Sequence, residues 1–363
     1  MIINIDNSVF HSYHEQADKT KFYELIEEVC KKRRQGKHFV YTEKINILRI
    51  LEDEQLSSIQ KSTLRTINKE LTVFDEGLLK TCKVIHVIDS KVCENKIYDE
   101  EVVVDLSRQN FINDIIPVAT LILENSNDDL VFSKIVDFVL QKKNLSNFFT
   151  DYHVVLGGGH TMIAECSTFL MSNPLTFAIC DSDQKSPECE VGNTAKGVKG
   201  VFDTFNKAEQ YYQLNVHEVE NLLPLCILKE TARKEQLPVI NFLEYSVKQQ
   251  PDCYKFYDFK EGFKFSQIWN DRDNNVSQFW KGLYEHYAES TNICYSKDFL
   301  GGAKLNESDN VIFNRLSSML PHAISKISHF EKNELTPQVL EDIWFEVGEK
   351  LISWFLAPKA INV

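Results

Sequence analysis

Apolar positions along the chain follow two periods. Short unbroken runs, Thr120-Leu121-Ile122-Leu123, Val154-Val155-Leu156 and Leu175-Thr176-Phe177-Ala178-Ile179-Cys180, have the length and composition of strands buried on both faces of a parallel sheet. Elsewhere apolar residues recur every three or four positions, the spacing of an amphipathic helix. Phe22, Leu25, Ile26 and Val29 do so within 19–34, Ile45, Leu48 and Leu51 within 42–51, and Val131, Ile135, Phe138 and Val139 within 129–140. Further helices are predicted over 62–71, 161–171, 201–212, 309–330 and 337–354, with a Gly/Lys-rich loop after Asp183. Shorter strand-like runs fall at 2–5, 84–88 and 101–104. Strands alternating with helices predict an α/β fold. The expected division is a small α/β region over 1–116, a central domain over 117–264 built on a parallel sheet flanked by helices, with the boundary at Pro117, and a helical region over 265–363. In that last region Phe265, Trp269, Phe279, Trp280, Tyr284 and Tyr287 recur at helical spacing and read as core, and Gly301-Gly302 marks a loop. No internal repeat is visible.

Composition narrows the function. The chain has 363 residues, a 43% hydrophobic fraction and a net charge of −13. No run approaches the roughly 18 apolar residues that span a bilayer, and Met1 to Asp6 lack the basic stretch of a secretory leader. A cytoplasmic protein without a membrane partner is expected. None of the nine cysteines forms a Cys-x-x-Cys pair, which argues against a zinc finger or redox dithiol; Cys166 and Cys180 lie on apolar patterns as small core residues. The acidic balance argues against a protein that coats nucleic acid by charge, but not against an enzyme acting on it. Two basic strips stand out: 31–38, which reads as a solvated face, and the spaced Lys185, Lys196, Lys199 and Lys207.

The ends of the apolar runs carry the candidate chemistry. The first ends on Glu124, the second on Gly157-Gly158-Gly159, and the third on Asp181-Ser182-Asp183. Ligands of open α/β sheets bind beyond the carboxyl ends of the strands. Carboxylates gathered there suit Mg²⁺ or Mn²⁺, which take hard oxygen ligands. The triple glycine fits neither the dinucleotide fingerprint, since Met162 holds the third glycine's place, nor the Walker pattern.

The order Glu124, glycine-rich turn, Asp181-x-Asp183 and then His217-Glu218-Val219-Glu220-Asn221 resembles the Toprim fold, closest to the OLD-like Toprim nucleases of bacterial anti-phage systems. The likeness covers about 118–224. In that family the first strand ends Glu-Gly-x-x-Asp; here Glu124 and Asp128 match while Asn125 replaces the glycine, a residue that tolerates the left-handed backbone of a tight turn. The resemblance implies a metal-dependent endonuclease acting on DNA ahead of RNA. Asp181 and Asp183 are then metal ligands, Glu124 a base or ligand, Asp128 and Glu220 further ligands, and Lys260 a catalytic lysine near the end of the domain. Glu220 ranks above Glu218, and His217 and Glu218 read as ordinary surface. The likeness also implies a separate ATPase partner and a homo-oligomer or mixed complex. Two alternatives stand beside it: a non-catalytic Toprim-like sensor or assembly subunit, and a PIN-like ribonuclease built on Asp6, Glu43, Asp89 and Asp105 of the first region.

Overall fold

The computed structural model describes residues 1–15, 18–72, 76–92, 102–108, 115–264, 274–291, 311–313, 315–327 and 338–361. Glu101, Phe265, Trp269, Gly301-Gly302, Pro337, Cys93 and Cys294, and residues 309, 310, 314 and 328–330, lie outside these residues.

Two parallel four-stranded sheets carry the chain. The first contains β1 (Ile2–Ile5), β2 (Phe39–Tyr41), β3 (Val84–Ile88) and β4 (Val102–Asp105) in the order β2-β1-β3-β4. After β5 (Thr120–Leu123) and the two-residue β6 (Phe149–Thr150), the second adds β7 (His153–Leu156), β8 (Thr176–Cys180) and β9 (Tyr211–Gln213) in the order β7-β5-β8-β9. Every residue of β5 and β8 is buried, as unbroken apolar runs require. Both sheets share one plan. The chain leaves the first strand for one side and then returns to build outward on the other. The order therefore reverses between β1 and β3, and again between β5 and β8. Strand ends at such a reversal leave a crevice that neighbouring crossover connections do not fill. The two sheets thus repeat a topology that no sequence repeat announces.

Helices cover the sheets. They are α1 (Asn7–Glu15), α2 (Thr20–Arg34), α3 (Lys44–Leu51), α4 (Ser58–Glu70) and α5 (Glu76–Thr81) around the first, and α6 (Ser126–Lys142), α7 (Thr161–Ser172) and α8 (Asn193–Thr204) around the second. Then follow α9 (Leu225–Thr231), α10 (Leu237–Gln249), α11 (Asn274–Ser290), α12 (Leu320–Lys326) and α13 (Gln338–Phe355). The helical reading of 201–212 is corrected: helix α8 lies earlier, over the expected loop, and Tyr211–Gln213 is the edge strand β9. One of the glycines that suggested a loop, Gly197, serves packing. A Cβ on Gly197 would come 2.4 Å from Ile163 Cδ1, so the bare backbone lets α7 and α8 close on each other. Likewise, within 309–330 the described residues form a short strand, β11 (Val311–Phe313), and α12 rather than one helix; β11 pairs antiparallel with β10 (Phe263–Lys264). The aromatic reading holds where it is described, with Trp280, Tyr284 and Tyr287 buried.

The C-terminal segment ties the sheets together. Gly348 of α13 faces Val139 of α6, where a Cβ would meet Cγ2 at 2.6 Å. Strand β12 (Leu356–Ala357) pairs antiparallel with β6, Lys83 N donates to Ser353 O at 2.7 Å, and Ile361 N donates to Arg34 O at 3.0 Å. This explains the basic strip at 31–38, which is not a solvated face. Arg33 is 3% exposed; it pairs with Glu70 and donates to Lys359 O at 2.8 Å. Lys32 is buried beside Glu28. No helix among the described residues is long and apolar enough to cross a membrane.

His38 gives the fold a pH signature. It is buried, its Nδ1 has no hydrogen-bond partner, and burial together with the positive charges of the N-terminal amine, Lys32 and Lys37 holds its pKa well below the usual value. The unfolded chain binds this proton near pH 6.5 and the folded one does not, so stability falls as pH drops through that range. The expected loss from this group is about 1.4 kcal/mol between pH 7.5 and 5.5. Urea unfolding of the native chain and of His38→Asn at both values checks it: the variant should lack that share of the loss.

Candidate metal centre

The crevice between β5 and β8 gathers most of the acidic residues singled out in the sequence. Glu124 follows β5 directly. Asn125 does not make the expected left-handed turn; its φ of −138° is extended, because it caps α6. Its side chain accepts from Asn127 N at 3.2 Å, while Asp128 Oδ2 accepts from Asn125 N at 2.9 Å. Asp128 therefore has a capping role as well as its place in the crevice.

Beyond β8 the three residues Asp181-Ser182-Asp183 diverge. Asp181 turns inward, 9% exposed, and its Oδ1 accepts from Val219 N at 3.0 Å. Ser182 is buried and donates to Val216 O at 2.6 Å. Asp183 is exposed at the lip, with φ +56° and its N donating to His217 O at 2.9 Å. Its carboxylate lies over Gly192, where a Cβ would collide with Oδ2 at 2.1 Å. A left-handed aspartate costs backbone energy. Asp183→Gly is expected to raise stability by about 1 kcal/mol, read by urea unfolding; an unchanged or lower midpoint would mean the carboxylate contributes more to the fold than its backbone costs.

The third contribution comes from residues 217–222 and 253–262, which brace each other. Asn221 Nδ2 donates to Tyr254 O at 2.7 Å and Tyr257 O at 2.9 Å, and its Oδ1 accepts from Glu218 N at 2.9 Å. Glu218 Oε1 accepts from Phe259 N at 2.8 Å. These bonds set Lys260 among the acids. Its Nζ lies 3.1 Å from Glu220 Oε2, 3.2 Å from Glu218 Oε2 and 4.0 Å from Asp181 Oδ2.

Electrostatics shows how closely these groups crowd. Burial raises the pKa of Glu124, and Asp183 and Glu220 add to the rise, while the Asp181 amide and Lys260 oppose it. Burial pushes Asp128 up to about 7, with Glu220 and Glu124 adding. Asp181 is driven well up by burial, against the pull of Lys260. Glu218 is pushed up to about 7 by burial and by Glu220. Lys260 resists desolvation and stays firmly charged because Glu218, Glu220 and Asp181 surround it. Glu124 Oε1 is buried with no hydrogen-bond partner. One ammonium thus faces a surplus of carboxylates, and a carboxylate oxygen of Glu124 in the same crevice is left unpartnered, which fits a site that takes further positive charge.

Behind this basin lies the one trio among the described residues whose ligand atoms all fall within 4.8 Å: His217, Glu218 and Asp258, all buried. His217 Nδ1 faces Gln184 O at 3.1 Å and Nε2 faces Asp258 Oδ2 at 3.5 Å. Burial opposes the charged imidazole, but Asp258 and Glu218 outweigh it and raise its pKa. Asp258 also accepts from Glu261 N at 2.7 Å and pairs with Lys185 at 3.1 Å. The trio can hold a divalent cation: a carbonyl fixes the ring, the other nitrogen faces Asp258, and Glu218 offers an oxygen within 4.8 Å of the other ligand atoms. The expected set of Glu124, Asp128, Asp181, Asp183 and Glu220 shares the crevice, but no three of them reach that distance; Lys260 stands among them.

His217 and Glu218 are not surface residues, at 5% and 3% exposure, and Glu218 contacts Lys260 as Glu220 does. Asp258 was missed altogether. The available signal was its setting between Tyr257 and Phe259, since a carboxylate inside an aromatic run needs a partner. The four acids of the first region serve local structure. Asp6 accepts from Ser8 N, Glu43 from Asn7 Nδ2, Asp89 from Ser12 Oγ and Lys91 N, and Asp105 from Ser90 N and Ser107 N. Comparison of the chain with protein-family models, curated proteins and solved structures finds no match.

Proposed function

We propose that this chain is a Toprim-type metal-dependent nuclease of the OLD-like kind that hydrolyses phosphodiester bonds, DNA ahead of RNA. The observation that carries the reading is the meeting of Glu124 and Asp181 at the reversal point of a parallel sheet, with Asp128, Glu220 and Lys260 around them. Glu124 and Asp181, with Asp183 at the lip and Asp128 and Glu220 nearby, would be the residues to hold Mg²⁺ or Mn²⁺, which would supply Lewis acidity toward the phosphate and lower the pKa of a water. Glu218 links this basin to His217 and Asp258, and an imidazole ligand there favours Mn²⁺ over Mg²⁺.

The chain's own residues complete the chemistry. Glu124, its pKa raised, is suited to take the proton of an attacking water. Lys260 offers its ammonium to the non-bridging oxygens, where negative charge grows as the phosphorus becomes five-coordinate. Asp183 at the lip and the open glycines 158 and 159 leave room for a strand to approach. The chain has no Walker motif of its own, so a separate ATPase subunit, a mixed or homo-oligomeric assembly and a role in anti-phage defence belong to this reading.

One observation favours a second reading. Lys260 already neutralises part of the crevice and Asp128 is engaged in capping, as a non-catalytic assembly subunit would allow. Incubating plasmid with Mn²⁺ and either the native chain or Asp181→Ala/Asp183→Ala separates the two: the nuclease reading requires cutting by the native chain alone, and equal cutting by both, or by neither, defeats it.

A further inference from the structure

The first sheet has its own crevice, in which lysines outnumber carboxylates three to two. A cavity of about 220 Å³ opens beyond the carboxyl ends of β3 and β4, between α1 and the start of α2. It lies beyond the carboxyl ends of two neighbouring parallel strands, the end of an open parallel sheet at which ligands bind. Its polar wall is Lys19, Lys21 and Lys91 with Asp18, Asp89 and two serines, and its apolar floor is the stacked pair Tyr13 and Phe22, 4.2 Å apart.

The carboxylates here are already committed. Asp89 accepts from Ser12 Oγ at 2.5 Å and Lys91 N at 3.0 Å, and Asp18 accepts from Thr20 N at 2.9 Å. Lys21 Nζ is held at 3.3 Å from both Leu106 O and Ser107 O, which fixes it on the wall. Lys19 Nζ lies 4.2 Å above the Tyr13 ring. Neither Lys19 nor Lys91 meets a carboxylate at ion-pair distance among the described residues. Ammonium groups around a small cavity with an aromatic floor match an anion carrying a compact organic body.

We infer that this cavity binds a small phosphate monoester, the phosphate between Lys19, Lys21 and Lys91 and the organic part against Tyr13 and Phe22. The cavity is smaller than the roughly 300 Å³ at which drug-sized sites begin, so the ligand is no larger than a mononucleotide. This site is independent of the acidic crevice.

Thermal unfolding of the full chain tests it, with inorganic phosphate, adenosine 5′-monophosphate, adenosine and a 5′-phosphorylated oligonucleotide as probes. Phosphate and the monophosphate should raise the melting temperature of the native chain and of Asp181→Asn alike, and adenosine should not. Lys19→Met/Lys91→Met, which changes side chains outside the core, should weaken the monophosphate by at least about tenfold, as loss of two charge-assisted contacts predicts. No shift at millimolar phosphate or monophosphate, or an undiminished shift in the double variant, overturns the assignment. An equal response to adenosine rules out phosphate recognition, and a response to the oligonucleotide alone rules out a small-molecule ligand.

Discussion

Asp181→Asn is expected to lower Mn²⁺-dependent cleavage about a thousandfold, the loss that follows removal of one preorganised charge-stabilising group, and to raise the melting temperature at the same time. The two effects have one cause. Asp181 is buried among Glu124, Asp128 and Glu220 with only Lys260 to offset it, and its carboxyl is driven well above the ordinary range. Asparagine can keep the bond from Val219 N through its own oxygen and removes the buried charge. A group that costs the fold stability while serving a reaction is the usual sign of a functional position. Initial rates on plasmid, set beside scanning calorimetry of the metal-free proteins, measure both. Unchanged cleavage would remove Asp181 from the chemistry, and a lower melting temperature would show that its charge is better compensated than the crevice suggests.

Lys260→Met is expected to destabilise the metal-free chain by about 2 kcal/mol. Removing one partner of a fully buried ion pair costs about 3–5 kcal/mol. The Lys260 side chain is 47% exposed, and water screens part of that interaction. Glu218, already pushed up to about 7, takes a proton near neutral pH and limits the rest of the loss. Mn²⁺ should recover much of the stability, because a ligand that binds only the folded state raises stability by mass action. The rise in melting temperature with millimolar Mn²⁺ should therefore be larger in the variant than in the native chain. A variant as stable as the native chain, or one indifferent to Mn²⁺, would mean that the acids do not act as one electrostatic unit.

How far the sequence carried depended on the kind of force involved. Buried strands show directly in composition, so β5 and β8 and the acids after them were legible from apolar runs alone; β7 is a strand as expected but not a buried one, because it forms the edge of its sheet and Leu156 is half exposed. Helices α2 and α7 were legible from spacing. Glycine misled at α8, because a residue that usually breaks helices is used there for close approach to Ile163. The strip at 31–38 misled for a related reason. Charge suggests solvent, and only the distant Glu70 and the carbonyl of Lys359 make burial of Arg33 tolerable. His217, Glu218 and Asp258 meet across some forty residues of chain. Their pairing depends on Asn221 bracing two carbonyls of the later segment, which no local pattern encodes. The strand order of the first region, which repeats that of the second, had no sequence signal at all.

On the proposed function, Glu124 and Asp181 hold a hard dication jointly. Mn²⁺ titration followed by electron paramagnetic resonance, on the native chain and on Glu124→Gln/Asp181→Asn, tests it most directly. The native chain should take up Mn²⁺, and the double variant, folded and at least as stable, should bind it at least about tenfold more weakly, as loss of two anionic ligands to a hard cation requires. Equal Mn²⁺ binding by the two proteins would contradict the account and leave the His217, Glu218 and Asp258 trio as the cation site.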